Sequence, residues 1–261
     1  VGVSSFADEY VANGHRRILL LCRTAKYRKK SPICSWFVLN SDRLLALAAR
    51  GDGHPVLVLP SFMGNDTSTM VIRTFLRMAG FRPYGWEQGL NLGGIRRMDR
   101  PVQERLRALH KKTGRRVSLI GWSLGGIYAR RAALGNPGLV RQVITLGTPF
   151  TGDTRATYER PIYEAVAGES AAELHQPNPP ADTLPVPITA VYSRMDGVVN
   201  WRTCLVNTGS RAENVEIRGA SHLGMGVHPA VLWLLADRLA QPEGPFQPFV
   251  PSGPFAMIYG S

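Results

Sequence analysis

The 261-residue sequence predicts an α/β fold, a mostly parallel sheet covered by helices on both faces. Predominantly apolar runs, HPVLVLP from His54 to Pro60, VSLI from Val117 to Ile120 and VRQVITL from Val140 to Leu146, have the texture of strands buried on both sides. Segments with helical spacing and caps separate these runs, and that alternation is the pattern of parallel β-α-β units. At the centre, RVSLIGWSLGG from Arg116 to Gly126 reads as strand, sharp turn, helix.

In chain order, residues 1–52 form an N-terminal extension with two expected helices, Ser5 to Cys22 and Ser41 to Arg50. The second has Ser41 as its N-cap and a Leu44, Leu45, Leu47, Ala48 stripe to lay against the core. Residues 53–240 form the core. Its first strand is followed by the turn Ser61-Phe62-Met63-Gly64, then by a helix capped at Asn65 or Asp66 and running to Met78, with Met70, Val71, Phe75 and Leu76 inward. Gly80 stops that helix, Phe81 to Trp86 is the second strand, and the glycine-rich 85–94 stretch is a loop. Arg96 to Thr113 is a polar helix with Val102, Leu106 and Leu109 on its buried side, ended by Gly114. The helix after the central turn closes near Gly135-Asn136-Pro137.

The segment 151–187 differs in texture, helical from Thr157 to Ala172 and then broken by Pro177, Pro179, Pro180, Pro185 and Pro187. Ile188 to Ser193 and Asn214 to Arg218 are the last expected strands, and Pro229 to Ala240 the last helix, with proline at its first turn. Residues 241–261 are a proline- and glycine-rich tail that wraps the surface or stays disordered.

Composition narrows the partners. With 31 Lys+Arg against 19 Asp+Glu the formal charge is +12, but the excess is scattered arginine, and only RTAKYRKK from Arg23 to Lys30 is dense. That cluster lacks the aromatic interleaving of a nucleic-acid surface, so no nucleic acid partner is expected, whereas a peripheral contact with an anionic membrane fits the charge. Cys22, Cys34 and Cys204 have no metal-ligand spacing, and an odd count does not build a full disulfide framework. No cofactor and no metal are expected. No stretch approaches the ~20 apolar residues of a membrane-spanning helix. No signal peptide is recognisable after Val1, so a reducing, cytoplasmic setting is the expectation.

The chemistry concentrates at Gly121-Trp122-Ser123-Leu124-Gly125. A G-x-S-x-G at a strand-to-helix junction forces the serine into a strained turn, lifts its hydroxyl off the sheet and sets the Leu124 amide at a helix N-terminus, ready for an oxyanion. GWSLGG after VSLI, with VITLGTPF after the next helix, resembles the α/β-hydrolase superfamily, in particular its bacterial lipase and esterase branch, over about residues 53–240. Lipases commonly carry His before the nucleophile, where this chain has Trp122.

The resemblance implies a serine hydrolase that cleaves carboxylic esters through an acyl-enzyme on Ser123. It further implies an acid and a base in the chain order Ser, Asp, His. Asp196 in YSRMDGVV and His222 in ASHLGMG fit, each just beyond a strand, on the edge where open α/β sheets place their sites. Phe62 takes the position of the second oxyanion amide, although lipases usually have glycine where Ser61 stands. By the same resemblance, 151–187 is a cap or lid. His228 and Asp153 remain alternatives for base and acid, while His54, His110 and His175 lie away from any suitable strand end. An acyltransferase or thioesterase would use the same triad, and a non-catalytic binding module the same scaffold. The implied substrate is a small-molecule acyl ester, with lipids among the candidates.

Overall fold

In the computed structural model, residues 44–149, 160–168 and 184–260 are described. β1 (Pro55–Leu59) has no polar side chain and is buried along its whole length. Its alternate residues serve two separate cores. Val56 and Val58 join the cluster under α1 (Met70–Met78), while Leu57 and Leu59 join the cluster on the other face. After α1 come β2 (Arg82–Gly85) and α2 (Ile95–Thr113), whose Val102, Leu106 and Leu109 are buried.

β3 (Val117–Trp122), α3 (Leu124–Gly135) and β4 (Val140–Leu146) follow, and every residue of both strands is buried. Beyond them lie α4 (Arg160–Ala167), β5 (Ile188–Tyr192), β6 (Ala212–Ile217), α5 (Pro229–Ala240) and a short β7 (Tyr259–Gly260). The strands form one sheet in the order β2-β1-β3-β4-β5-β6-β7. All pairs are parallel except β6 with β7. Helices α1 and α5 cover one face, and α2 and α3 the other.

This confirms the expected α/β class. The register also brings the carboxyl ends of the central strands level: Leu59 lies beside Gly121, Trp122 beside Leu146, and Leu146 beside Val191. Whatever follows those residues therefore emerges on one edge.

Three expectations change. The helix expected from Asn65 or Asp66 begins only at Met70, because Asn65 binds backbone in its own turn and Asp66 binds backbone across the fold, so neither caps a helix. Asn65 accepts hydrogen bonds from the Thr67 and Ser68 amides, at 2.9 and 3.3 Å. Asp66 reaches across to the end of β2, where it accepts from the amides of the next two residues, Trp86 and Glu87, at 3.0 and 3.1 Å. With the start shifted, Ile72 takes the buried place foreseen for Met70 and Val71.

The tail is the second change, since 259–260 add an antiparallel edge strand and the Tyr259 hydroxyl donates to the Ala230 carbonyl at 2.8 Å. Third, of the N-terminal stripe Leu44, Leu45 and Ala48 are buried in the α1/α5 core, but Leu47 is exposed. The Ser5 to Cys22 helix and Ser41 lie outside the described residues, as does most of 151–187.

Candidate active site

Ser123 sits between β3 and α3 at φ 52°, ψ −121°, a conformation that costs an L-residue roughly 1–3 kcal/mol. The strand, the helix and two bonds hold it there. Its amide donates to the Leu146 carbonyl at 2.8 Å, and its carbonyl accepts from the Thr148 hydroxyl at 2.9 Å. The flanking glycines are needed for space. A Cβ at Gly121 would lie 2.3 Å from the Gly126 Cα, and one at Gly125 would lie 2.4 Å from the Leu59 carbonyl oxygen. The Leu124 amide begins α3 and donates to no other described residue.

Asp196, beyond β5, and His222, beyond β6, are both almost wholly buried. Asp196 Oδ2 lies 2.7 Å from His222 Nδ1. Its Oδ1 accepts from the amides of Val198 and Val199, at 3.0 and 2.6 Å, so the carboxylate is fixed as an acceptor. A carboxylate in that role assigns the proton to Nδ1 and leaves the Nε2 lone pair free to take one. The backbones are tied as well, the His222 amide donating to the Asp196 carbonyl at 2.8 Å.

Between this pair and the elbow lies Gly147, just after β4, at φ +54°. A Cβ there would stand 3.0 Å from Asp196 Oδ2 and 3.1 Å from His222 Nδ1. Within VITLGTPF this glycine carries no sequence signal of its own, because what it faces is set by the fold.

His228, the alternative base, and the remaining described histidines make contacts of their own. His228 is the N-cap of α5, its Nδ1 accepting from the Ala230 amide at 3.2 Å. His110 bonds the Arg115 carbonyl at 2.9 Å, and Asp153 and His175 lie outside the described residues. His54 forms a second serine–histidine–aspartate chain at the opposite end of the sheet. Its Nδ1 is 2.5 Å from Asp52 Oδ1 and its Nε2 is 3.0 Å from Ser118 Oγ. Ser118 and His54 are wholly enclosed, so no substrate reaches them. Burial holds the His54 imidazole below its ordinary pKa, with the nearby Arg141 and Arg115 charges adding to it against the opposing pull of Asp52.

On the other side of the elbow, the loop after β1 turns tightly: Ser61 is buried and its carbonyl accepts from the Gly64 amide at 2.9 Å. Met63 takes φ 56°. The Phe62 amide, like that of Leu124, donates to no other described residue. Asn91, unnoticed in the sequence, clasps this loop from a wholly buried position. Its Nδ2 donates to the Pro60 carbonyl at 2.9 Å, its carbonyl accepts from Met63 at 2.7 Å, and its amide donates to Gly64 at 2.8 Å.

The ring of Phe62 meets Tyr163 of α4 edge-on at 5.4 Å. The Tyr163 hydroxyl accepts from the Gly94 amide at 3.4 Å. So α4 packs against the loop after β1. Among the described residues, Met63, Leu90, Val166, Met195 and Leu223 are five of the eight exposed large apolar side chains. Four of the five adjoin Phe62, Asn91, Asp196 or His222 in sequence, and the fifth is on α4.

A cavity of about 670 Å³ opens instead at the opposite edge, lined in part by Arg116, Arg141, Arg211 and Glu243. All three of these guanidiniums are already engaged, Arg116 with Glu243 at 2.9 Å, Arg141 with Asp52 at 3.1 Å and Arg211 with the Pro185 carbonyl at 3.2 Å.

The strand order together with the strained elbow serine defines the class, a hydrolase of the α/β type. The chain belongs to the alpha/beta hydrolase family, whose model matches residues 33–255. No curated protein matches the sequence.

Among solved structures, Bacillus licheniformis lipase BlEst2 is similar with TM-score 0.56 at 15% identity, over 74% of this chain and 93% of that one. Aspergillus fumigatus lipase B is similar with TM-score 0.54 at 14% identity, over 77% of this chain, which spans only 57% of that lipase. A deformylase from Pseudomonas putida S16 is similar with TM-score 0.51 at 13% identity, over 73% of this chain and 94% of that one. At such identities the likeness shows the fold.

Proposed function

We propose that this chain is a serine hydrolase of carboxylic esters working through an acyl-enzyme on Ser123. The observation that carries the reading is the buried Asp196–His222 pair, 2.7 Å apart, on the same sheet edge as the elbow serine. His222 takes the Ser123 proton as the hydroxyl attacks the acyl carbon. It then returns the proton to the leaving alcohol and repeats the cycle with water. Asp196 orients His222 and stabilises its cation. The two unengaged amides of Phe62 and Leu124 hold the tetrahedral oxyanion, a task for which preorganised donors supply the largest single share of the rate. The chemistry calls for no cofactor.

The exposed apolar side chains Met63, Leu90, Met195 and Leu223, each next in sequence to a residue of the site or its loops, and Val166 on α4, support an apolar acyl group or a lipid as substrate. The docking of α4 against Phe62 supports a cap role for the segment that contains it, and the charge of +12 supports a peripheral contact with anionic lipid. The test is turnover of p-nitrophenyl esters from acetate to laurate by wild type and Ser123→Ala. The expected result is a rise in kcat/KM toward medium chains, and for the variant at most the ~10³ to 10⁴-fold advantage over water that binding and the oxyanion hole provide. Wild-type-like turnover by Ser123→Ala would remove the serine from the mechanism.

A further inference from the structure

The position between Gly121 and Ser123 is occupied by Trp122, a large aromatic side chain that is buried at the end of β3. Indole has one polar group, an N–H that can only donate, and here it donates to the backbone carbonyl of His222 at 3.2 Å. The residues it joins are 100 apart in sequence, and both lie in the interior. The ring also limits how the histidine loop closes, since a Cβ at Gly226 would stand 2.7 Å from its six-membered edge. The His222 peptide is thereby held at both ends, its N–H on the Asp196 carbonyl and its C=O on the indole. One of those two anchors is the residue immediately before the nucleophile.

We infer that Trp122 is a positioning residue that sets the reach from His222 to Ser123, by fastening the loop of the proposed base to the strand of the proposed nucleophile. This rests on the ester hydrolase reading above. The Asp196 contacts fix the rotation of the imidazole but belong to strands on the far side of β4, so they do not set its spacing from β3. The indole bond does. Because the nucleophile's backbone is itself pinned to Leu146, a loop released from Trp122 shifts relative to a stationary serine hydroxyl.

The test compares wild type, Trp122→Phe, and protein carrying β-(3-benzothienyl)alanine at 122, which keeps the two-ring shape and removes only the N–H. A loose base lowers kcat with little change in binding, so kcat should fall about 10- to 100-fold with KM within about twofold, the scale of loss from an ångström of misplacement. The loss in kcat/KM, which reports acylation and so the departure of the alcohol, should be about tenfold larger for an ethyl ester than for the p-nitrophenyl ester of the same acid. Ethoxide departs only with a proton from His222, whereas p-nitrophenolate departs without one. A merely structural tryptophan would lower the folded fraction and scale both substrates equally.

Equal losses on the two esters, or wild-type kinetics in the isostere protein, overturn the inference. The isostere decides the matter if Trp122→Phe fails to fold. His222→Ala, run alongside, separates the two readings: turnover surviving in it sinks the ester hydrolase mechanism, while its loss beside an unaffected isostere sinks only the role of Trp122.

Discussion

Replacing Gly147 with Ala adds one methyl group just beyond β4, against the Asp196 and His222 side chains. The added carbon lands 3.0 Å from Asp196 Oδ2, 3.1 Å from His222 Nδ1 and 3.2 Å from Met225 Sδ, where ordinary carbon contacts begin near 3.4 Å. Each neighbour must retreat by a few tenths of an ångström. The backbone adds its own cost, because φ +54° is left-handed and costs an L-residue about 1–2 kcal/mol. The total loss of stability should be about 2 kcal/mol, lowering Tm by roughly 4–8 °C at this chain length.

The kinetic effect should exceed what that stability loss explains. At 25 °C the variant remains folded, yet the retreat opens the 2.7 Å Asp196–His222 bond, so kcat on a soluble short-chain ester should fall by about 10- to 100-fold with KM unchanged. Differential scanning fluorimetry and initial rates on the same preparation separate the two effects. A variant with lowered Tm but kcat within twofold of wild type would refute the claim that this glycine guards the acid–base pair.

Asp196→Asn should keep the fold and lower kcat on the order of 10⁴-fold, because an amide there favours the wrong imidazole tautomer; circular dichroism with initial rates checks both halves. The His54 site gives a pH prediction. Burial lowers the imidazole pKa, so the folded state resists protonation, and its stabilising contribution is complete above the unfolded value of about 6.5 and is lost as pH falls below it. The groups facing His54 are Asp52, Arg115 and Arg141. His54→Gln should therefore flatten the fall in Tm between about pH 7.5 and 5.5, and an unchanged slope would remove His54 from that transition.

Much of the architecture was legible because a parallel sheet covered on both faces makes its strands predominantly apolar. Pro55–Leu59 and Val140–Leu146 therefore stand out without any period to count. That Ser123, Asp196 and His222 would share one edge was legible for a related reason, since residues just past parallel strand ends emerge together whatever their sequence distance. What stayed hidden depends on contacts across the fold.

Asp66 looks like a helix cap until β2 arrives beside it, and Asn91 is one more residue in a glycine-rich loop until the turn after β1 closes on it. Tyr259–Gly260 is too short to show alternation, and a buried tyrosine with an edge to pair against makes it a strand. His54 and Ser118 show the converse: serine, histidine and aspartate assemble fully, but at the wrong end of the sheet and without access.

That contrast makes covalent labelling the most direct measurement. A fluorophosphonate reacts readily only with a serine that has a base beside it and an oxyanion hole around it. Peptide mapping of the folded protein should place one adduct, on Ser123, and His222→Ala should lose it. An adduct on Ser118 or any other serine, or no adduct on a folded and active protein, would contradict the mechanism.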